Sequence, residues 1–409
     1  MTTNATDSIV QSGLDNYIKN YAQNPVVIDR GEGCRVWDLD DREYIDLGTG
    51  ISVTSFGHRH PDIVDALQQQ VDKIWHASNL YYTETPVRLA ERLCQLSFAD
   101  AVFFCNSGSE ANEAAIKLLR KYASQTRSPE KRVIISFEGS FHGRTLAAVT
   151  ATAQPKYHKG FEPLPGGFRY LPFNDVNALR EAFDDSVCAV MIEPVQGEGG
   201  INVASSEFMM EIRRLCDEHD ALMMCDEVQS GMGRTGKTFA YEWNEGIEPD
   251  VMTLAKALGN GLPIGALLAG PKAADTLQPG SHGSTFGGNP IACAVALAAL
   301  RLASDADTLS NVERQSKIMM NRLTEIGQRL DVFKEVRGRG LMIGAELKTD
   351  YAGKAGEIGK ICQQHGVLLL SAGPDVIRLL PPLVIDEVTT MVAIDKIEQS
   401  IQSWLESDA

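Results

Sequence analysis

Two apolar runs in the middle of the chain each end on a charge. Residues 221–225 (ALMMC) run into Asp226 and Glu227, and thirty residues beyond Asp226 the run Val251–Leu254 stops just short of Lys256. Each run predicts a buried strand that delivers a charged side chain at its end. An unpaired buried charge costs several kcal/mol, so such placement calls for a partner. A desolvated lysine loses basicity and can form an imine with an aldehyde. A carboxylate at the end of a central strand lies where open α/β sheets bind their ligands. The working reading is that Lys256 and Asp226 hold the two ends of one cofactor. Taken singly, each has a plainer reading: a lysine snorkelling from an apolar element, and an aspartate that caps or pairs.

Other clusters carry chemistry of their own. Residues 106–110 (NSGSE) lie between a predicted strand and helix, and Ser107 and Glu110 have capping-box spacing. A helix start with free N–H groups, Gly108 for close approach and the hydroxyls of Ser107 and Ser109 makes a phosphate site, or simply a capped helix. Phe141, His142, Gly143 and Arg144 follow another predicted strand. An aromatic ring there can stack on a flat ligand, and an arginine can grip a carboxylate through two parallel hydrogen bonds. Arg378, inside the apolar stretch VIRLL, is a second such arginine. Alone, each reads first as a salt-bridged structural arginine. His58 and His60 have H-x-H spacing but no third ligand, which reads as a turn, and no metal is expected.

Residues 231–238 (GMGRTGKT) fit the pattern G-x-x-x-x-G-K-[ST]. A phosphate-binding loop of that kind follows a strand directly and opens a helix. Here residues 227–230 intervene, and the next segment is short before Gly246 and Pro249. The match reads as chance. A nucleotide hydrolase using Lys237 and Thr238 is the competing hypothesis from another class.

These side chains need a sheet to position them. From about residue 101, apolar runs at 102–105, 133–135, 187–192, 221–225 and 251–254 alternate with helical patterns, including one over 206–219. Runs apolar at every position suit strands covered on both faces, and the alternation predicts an α/β fold with a largely parallel sheet. The helix after residue 109 carries Ala111, Ala114, Ala115, Leu118, Leu119 and Tyr122 on one face, so its inner side is small and close-packed. Before it, short strands at 26–28, 35–37 and 43–45 read as a meander, and residues 61–76 and 85–96 as amphipathic helices. After the Gly-rich break at 280–290 come helices over 291–302 and about 308–330, then a smaller α/β unit with strands near 341–347, 367–370 and 376–380.

The totals narrow the class. With 409 residues and 44% hydrophobic content, the chain can bury a large core. Its formal net charge of −16 argues against nucleic acid and anionic membranes as general partners. The eight cysteines include no CxxC pair and mostly lie in apolar runs, as free thiols of a reducing compartment do. No run reaches the roughly 18 apolar residues of a membrane span, and the N-terminal residues do not read as a secretory signal. A cytoplasmic protein is the expectation.

The motifs NSGSEANEAAIKL, FHGRT, EPVQGEGG, DEVQSGMGRTG, LAKALGNGLPIGA, GSTFGGNP and RGRGLMIGAEL, in this order, resemble those of the class III aminotransferases. The resemblance spans about residues 25–400. It implies pyridoxal 5'-phosphate as cofactor and the type I fold of that enzyme group. That fold has a large domain (56–300) with a mostly parallel seven-stranded sheet between helices. A smaller C-terminal α/β domain (301–409) is joined by an N-terminal segment (1–55). By resemblance, Lys256 would join the cofactor covalently and then shuttle the proton, and Asp226 would pair with the pyridine nitrogen. Val228 and Phe141 would flank the ring, Gln229 would reach its hydroxyl, and His142 would lie beside them. Ser107, Gly108 and Ser109 would hold the phosphate, with Thr285 from the neighbouring subunit of a homodimer. Arg144 and Arg378 would bind substrate carboxylates, with Ser284 and Ile51 also on the substrate side. Glu198 would pair with Arg378 for the diamine and swing away for glutamate. The stretches HGSTFGGNPIACAVALA and LLLSAGPDVIRLLPPLVI are similar to the branch acting on acylated ornithines, implying N2-acetylornithine and 2-oxoglutarate as substrates. Succinylornithine, succinyldiaminopimelate, ornithine and 4-aminobutyrate would use the same charged residues.

Overall fold

Seven strands make the central sheet of the computed structural model, which describes residues 5–126 and 130–407. In sheet order they are Ala101–Cys105, Gly265–Ala269, Val251–Leu254, Leu222–Asp226, Val187–Ile192, Val133–Phe137 and Phe168–Leu171. Gly265–Ala269 runs antiparallel to both neighbours, and the other strands share one direction. Four of the strands, Val187–Ile192, Leu222–Asp226, Val251–Leu254 and Gly265–Ala269, are buried at every position. Side chains alternate across such a strand. Met223 and Cys225 therefore pack with Phe208 and Ile212 of the helix Ser206–Glu218. Leu222 and Met224 pack instead with Ala115 and Leu118 of the helix Gly108–Thr126.

Two strands of this sheet carry little signal in the sequence. Phe168–Leu171 (FRYL) is a half-polar edge strand of four residues, and Gly265–Ala269 (GALLA) has no β-branched or aromatic residue. Pairing on both sides, to Val251–Leu254 and Ala101–Cys105, makes the second a strand despite its composition.

The meander Ile28–Glu32, Arg35–Asp38 and Glu43–Asp46 gains a fourth, parallel partner from far along the chain, Val367–Leu368. The first strands and the C-terminal third thus share one sheet. A second small sheet holds Phe333–Arg339, Met342–Leu347, Val376–Leu379 and Leu370–Ser371 in that order. The helix Pro290–Ala303 starts where Asn289 Oδ1 accepts the Ala292 N–H (2.9 Å), with proline at the first helical position. Among the described residues no helix is long and apolar enough to cross a membrane.

Candidate active site

The ends of the central strands open into a cavity of about 330 Å³. Ser107, Gly108, Ser109, Phe141, His142, Asp226, Val228, Gln229 and Lys256 all line it. Residues 149 apart in sequence (107 and 256) thus meet at one place.

Asp226 ends its strand with a carboxylate 3% exposed, both of whose oxygens accept hydrogen bonds. Asn112 Nδ2 donates to Asp226 Oδ2 (2.8 Å), His142 Nδ1 lies 2.7 Å from the same oxygen, and the Val228 N–H donates to Oδ1 (3.0 Å). An ionised carboxylate only accepts, so the proton of this pair sits on Nδ1. Asn112 is itself held, donating to the His142 carbonyl (2.7 Å) and accepting from Thr253 Oγ1 (2.8 Å). Among the described residues, the buried His142 Nε2 has no hydrogen-bond partner. Glu227, the other half of the acidic pair, points to a different duty. Its oxygens accept the N–H groups of Ala240 (2.6 Å) and Tyr241 (2.8 Å), and burial raises its pKa to about 8.

Lys256 follows its strand in a left-handed backbone conformation, with φ +46°. A non-glycine residue there is strained and must be held by its surroundings. No hydrogen bond or ion pair engages its amine among the described residues. Desolvation is the largest influence on it and takes its pKa below the ordinary 10.5; Arg378 pushes the same way, and Glu198, Asp226 and Glu193 oppose. The unprotonated amine is the nucleophile. Capture of pyridoxal phosphate by the cofactor-free protein is therefore expected to accelerate with pH around a midpoint below 10.5. Stopped-flow absorbance reads this directly, and a midpoint at or above 10.5 refutes it.

At the other end lies the start of the helix Gly108–Thr126. Ser107 Oγ accepts the Glu110 N–H (3.2 Å), as the capping spacing predicts. Glu110 Oε2 reaches back one residue further than a capping box requires, to the N–H (2.6 Å) and side-chain amide (2.8 Å) of Asn106. The first N–H groups of a helix have no intrahelical partner, which suits an anion. A Cβ at Gly108 would sit 2.7 Å from Val228 Cγ1, so only glycine lets this backbone and Val228 approach so closely.

Arg378 and Glu198 stand one side chain behind the wall. Arg378 is 2% exposed; its Nη1 donates to the Gly197 carbonyl (2.7 Å), Glu198 Oε1 (2.6 Å) and Gln229 Oε1 (3.4 Å). Its Nε has no hydrogen-bond partner among the described residues. Burial raises the Glu198 pKa, but the charge and hydrogen bond of Arg378 outweigh it, so the carboxyl titrates below its usual range.

The remaining expected residues fall outside this wall. Arg144 is exposed, its guanidinium 4.0 Å from the centre of the Tyr157 ring, while its N–H donates to Ser109 Oγ (3.1 Å). Ile51 lies 40% exposed in the turn Thr49–Ser52, whose neighbour Val53 does line the cavity. Ser284 and Thr285 line a separate hollow of about 300 Å³, linked to the cavity by Asn106, whose Nδ2 donates to Ser284 Oγ (3.2 Å). Residues 231–238 form turns rather than opening a helix, and Lys237 stacks on the Trp243 ring at 5.3 Å.

Two residues of the site, Asn112 and Glu193, lie inside the motifs NSGSEANEAAIKL and EPVQGEGG, but the sequence reading assigns neither a role. Asn112 sits on the small-residue face of its helix, in line with Ala115 and Leu119, and a lone polar side chain there was the available signal. Glu193 follows the buried run Val187–Ile192 as Asp226 ends its own. It accepts the N–H of Phe141 (2.9 Å) and of Gly197 (3.3 Å), and burial raises its pKa.

A buried amine facing a buried carboxylate, with a helix start between strands, defines a site for an aldehyde cofactor with a phosphate tail. The class-III aminotransferase family model matches residues 17–401. The chain is 53% identical over 392 residues to acetylornithine aminotransferase of Xanthomonas campestris, covering 95% of this chain and 96% of that protein. Among solved structures, N-acetylornithine aminotransferase of Stenotrophomonas maltophilia matches with 46% identity and a TM-score of 0.85, over 97% of this chain and 100% of that one. Ornithine aminotransferase of Toxoplasma gondii matches with 32% identity and a TM-score of 0.95, over 99% and 97%. The chain belongs to the class-III aminotransferases. The family's cofactor is pyridoxal 5'-phosphate, and the cavity fits it: an amine for the aldehyde, an acceptor-only carboxylate for the ring nitrogen, and free N–H groups for the phosphate.

Proposed function

We propose that the protein transfers the terminal amino group of N2-acetylornithine to 2-oxoglutarate, giving N-acetylglutamate 5-semialdehyde and glutamate. The observation that carries this reading is the Arg378–Glu198 pair, 2.6 Å apart and behind Gln229 of the cavity wall. An aminotransferase takes two substrates in turn at one site. Glutamate brings two carboxylates, whereas N2-acetylornithine brings one and a neutral amide tail. A guanidinium that its own carboxylate can neutralise serves both; a fixed, uncompensated one would be left buried against the neutral tail.

Pyridoxal phosphate supplies an aldehyde that accepts the amino group and a ring that takes up the electron pair left at the substrate carbon. The Lys256 amine binds it and carries the proton at the reacting carbon. Asp226, held by Asn112, His142 and Val228, keeps the ring nitrogen protonated. Phe141 and Val228 would flank the ring, Gln229 would reach its hydroxyl, and the N–H groups and hydroxyls at Ser107, Gly108 and Ser109 would take the phosphate. Arg144, Ser284 and Ile51 act on the substrate side.

We assign the working unit as a homodimer in the cytoplasm, with Thr285 completing the phosphate site of the neighbouring subunit. Two observations support the dimer: Thr285 lies in its own hollow rather than the cavity, and Trp75, Leu80, Tyr81, Tyr82 and Phe286 are 62–97% exposed. So much exposed large apolar surface suits a second copy of the chain. Sedimentation that gives a monomer would remove this assignment.

Glu198→Gln separates the two half-reactions. Without the carboxylate, Arg378 stays charged beside the neutral tail. kcat/KM for N2-acetylornithine is expected to fall roughly 10- to 100-fold, with that for 2-oxoglutarate within about threefold. Equal losses for both would remove the switching role. A panel of donors with 2-oxoglutarate, ranked by kcat/KM, tests the substrate itself. Preference for ornithine or 4-aminobutyrate overturns the proposed donor.

A further inference from the structure

Residues 231–238 hold a guanidinium that the reaction above leaves unused. Arg234 is fully buried, with no carboxylate at ion-pair distance among the described residues. Nε donates to Ser52 Oγ (3.0 Å) and Nη2 to Ser55 Oγ (2.8 Å). Nη1 donates to the carbonyls of Leu341 (2.9 Å) and Pro381 (2.6 Å). Burial lowers its pKa to about 9, so it remains charged at neutral pH. The main chain joins the same contact: the Leu341 N–H donates to the Arg234 carbonyl (3.0 Å). A Cβ at Gly340 would sit 2.4 Å from the Thr235 carbonyl carbon, so the loop and the 340–341 turn are pressed together.

What Arg234 grips on one side is strained. Thr49, Gly50, Ile51 and Ser52 have φ of +47°, +60°, +64° and +62°, four successive left-handed residues of which three carry side chains. Such a turn persists only where its surroundings over-determine it. Asp46 Oδ1 accepts the Thr49 N–H (2.8 Å), Thr49 Oγ1 donates to the Leu380 carbonyl (2.8 Å), and Ser52 and Ser55 are held by Arg234. The next residue, Val53, lines the cavity. On the other side, Pro381 lies three residues beyond Arg378. One rigid fork thus touches both the segment that supplies a wall of the site and the strand exit that follows its buried arginine.

We infer that Arg234 is a positioning residue for substrate selection: its four hydrogen bonds set the spacing between the left-handed turn Thr49–Ser52, with Val53 beside it, and the strand bearing Arg378. That spacing fixes the length of donor tail the site accepts. The inference rests on the donor proposed above. The planar guanidinium matches acceptors in three segments at once, which a point-charge ammonium cannot.

Holoenzyme carrying Arg234→Lys, and separately the double variant Ser52→Ala/Ser55→Ala, tests this. The readouts are the ratio of kcat/KM for N2-acetylornithine to that for ornithine, visible absorbance of bound pyridoxal phosphate, and the thermal midpoint. Both variants are expected to keep the absorbance and lose roughly tenfold in the ratio, the scale of a pocket misfit by about one methylene. An unchanged ratio, even with a lower thermal midpoint, overturns the inference and leaves Arg234 as a fold-stabilising residue. If Arg234→Lys does not fold, the serine variant, which keeps the guanidinium, gives the answer by the same ratio. If the wild type turns over ornithine alone, the proposed donor fails; Arg234 is then judged on the KM for ornithine, and no change overturns its role.

Discussion

Lys256→Ala is expected to lower kcat by at least about 10⁴-fold. Both proposed functions go at once: the covalent hold on the cofactor and proton transfer at the substrate carbon, the latter alone contributing typically 10²–10⁴-fold. Among the described residues no other lysine lines the cavity to replace it. The variant should also lack the visible absorbance of the lysine-bound cofactor. Single-turnover kinetics with N2-acetylornithine and added pyridoxal phosphate gives the comparison; activity within tenfold of wild type sinks the assignment. Stability should move the other way. A lysine whose folded pKa lies below 10.5 penalises the folded state in full at pH values below that folded pKa, and the penalty is gone above 10.5. Cofactor-free Lys256→Ala is therefore expected to melt at or above the wild-type temperature at neutral pH.

Asp226→Asn is expected to cost about 10²–10³-fold in kcat, the scale of removing one preorganised electrostatic partner. The change is nearly isosteric but removes the charge proposed to keep the ring nitrogen protonated. It also brings a donor where Asn112, His142 and Val228 all donate, so one of three buried donors loses its acceptor. Because the partner acts in the transition state, kcat and kcat/KM should fall together while the KM for 2-oxoglutarate holds. A rise in KM at constant kcat would make Asp226 a binding residue only. Near-ultraviolet circular dichroism separates this from loss of packing.

Much of the site is legible in the chain because burying charge is costly. Asp226 and Lys256 stand out at the ends of apolar runs, and both line the cavity. The same rule marks Glu193, and the small-residue helix face marks Asn112; both lie inside the motifs EPVQGEGG and NSGSEANEAAIKL, whose resemblance assigned them no role. Glu227 shows the limit of the rule. It is as buried as Asp226, yet it serves the turn Ala240–Trp243 and not the cavity. Adjacent residues on a strand point to opposite faces, and which face meets the ligand depends on packing.

The sequence by itself determined the α/β class, most strands and helices of the central sheet, and the residue types that make a cofactor site. It could do so because hydrophobic periodicity and helix capping act over a few residues. The antiparallel strand Gly265–Ala269 was decided only by pairing on both its edges. The Arg378–Glu198 pair, which only the resemblance implied, joins residues 180 apart and has no local signal in the chain. Tertiary structure also decided the left-handed turn at Thr49–Ser52, whose local cost is repaid by Asp46, Leu380 and Arg234. These partners are remote in sequence, and buried hydrogen bonds between them exist only once the sheets have brought their segments together.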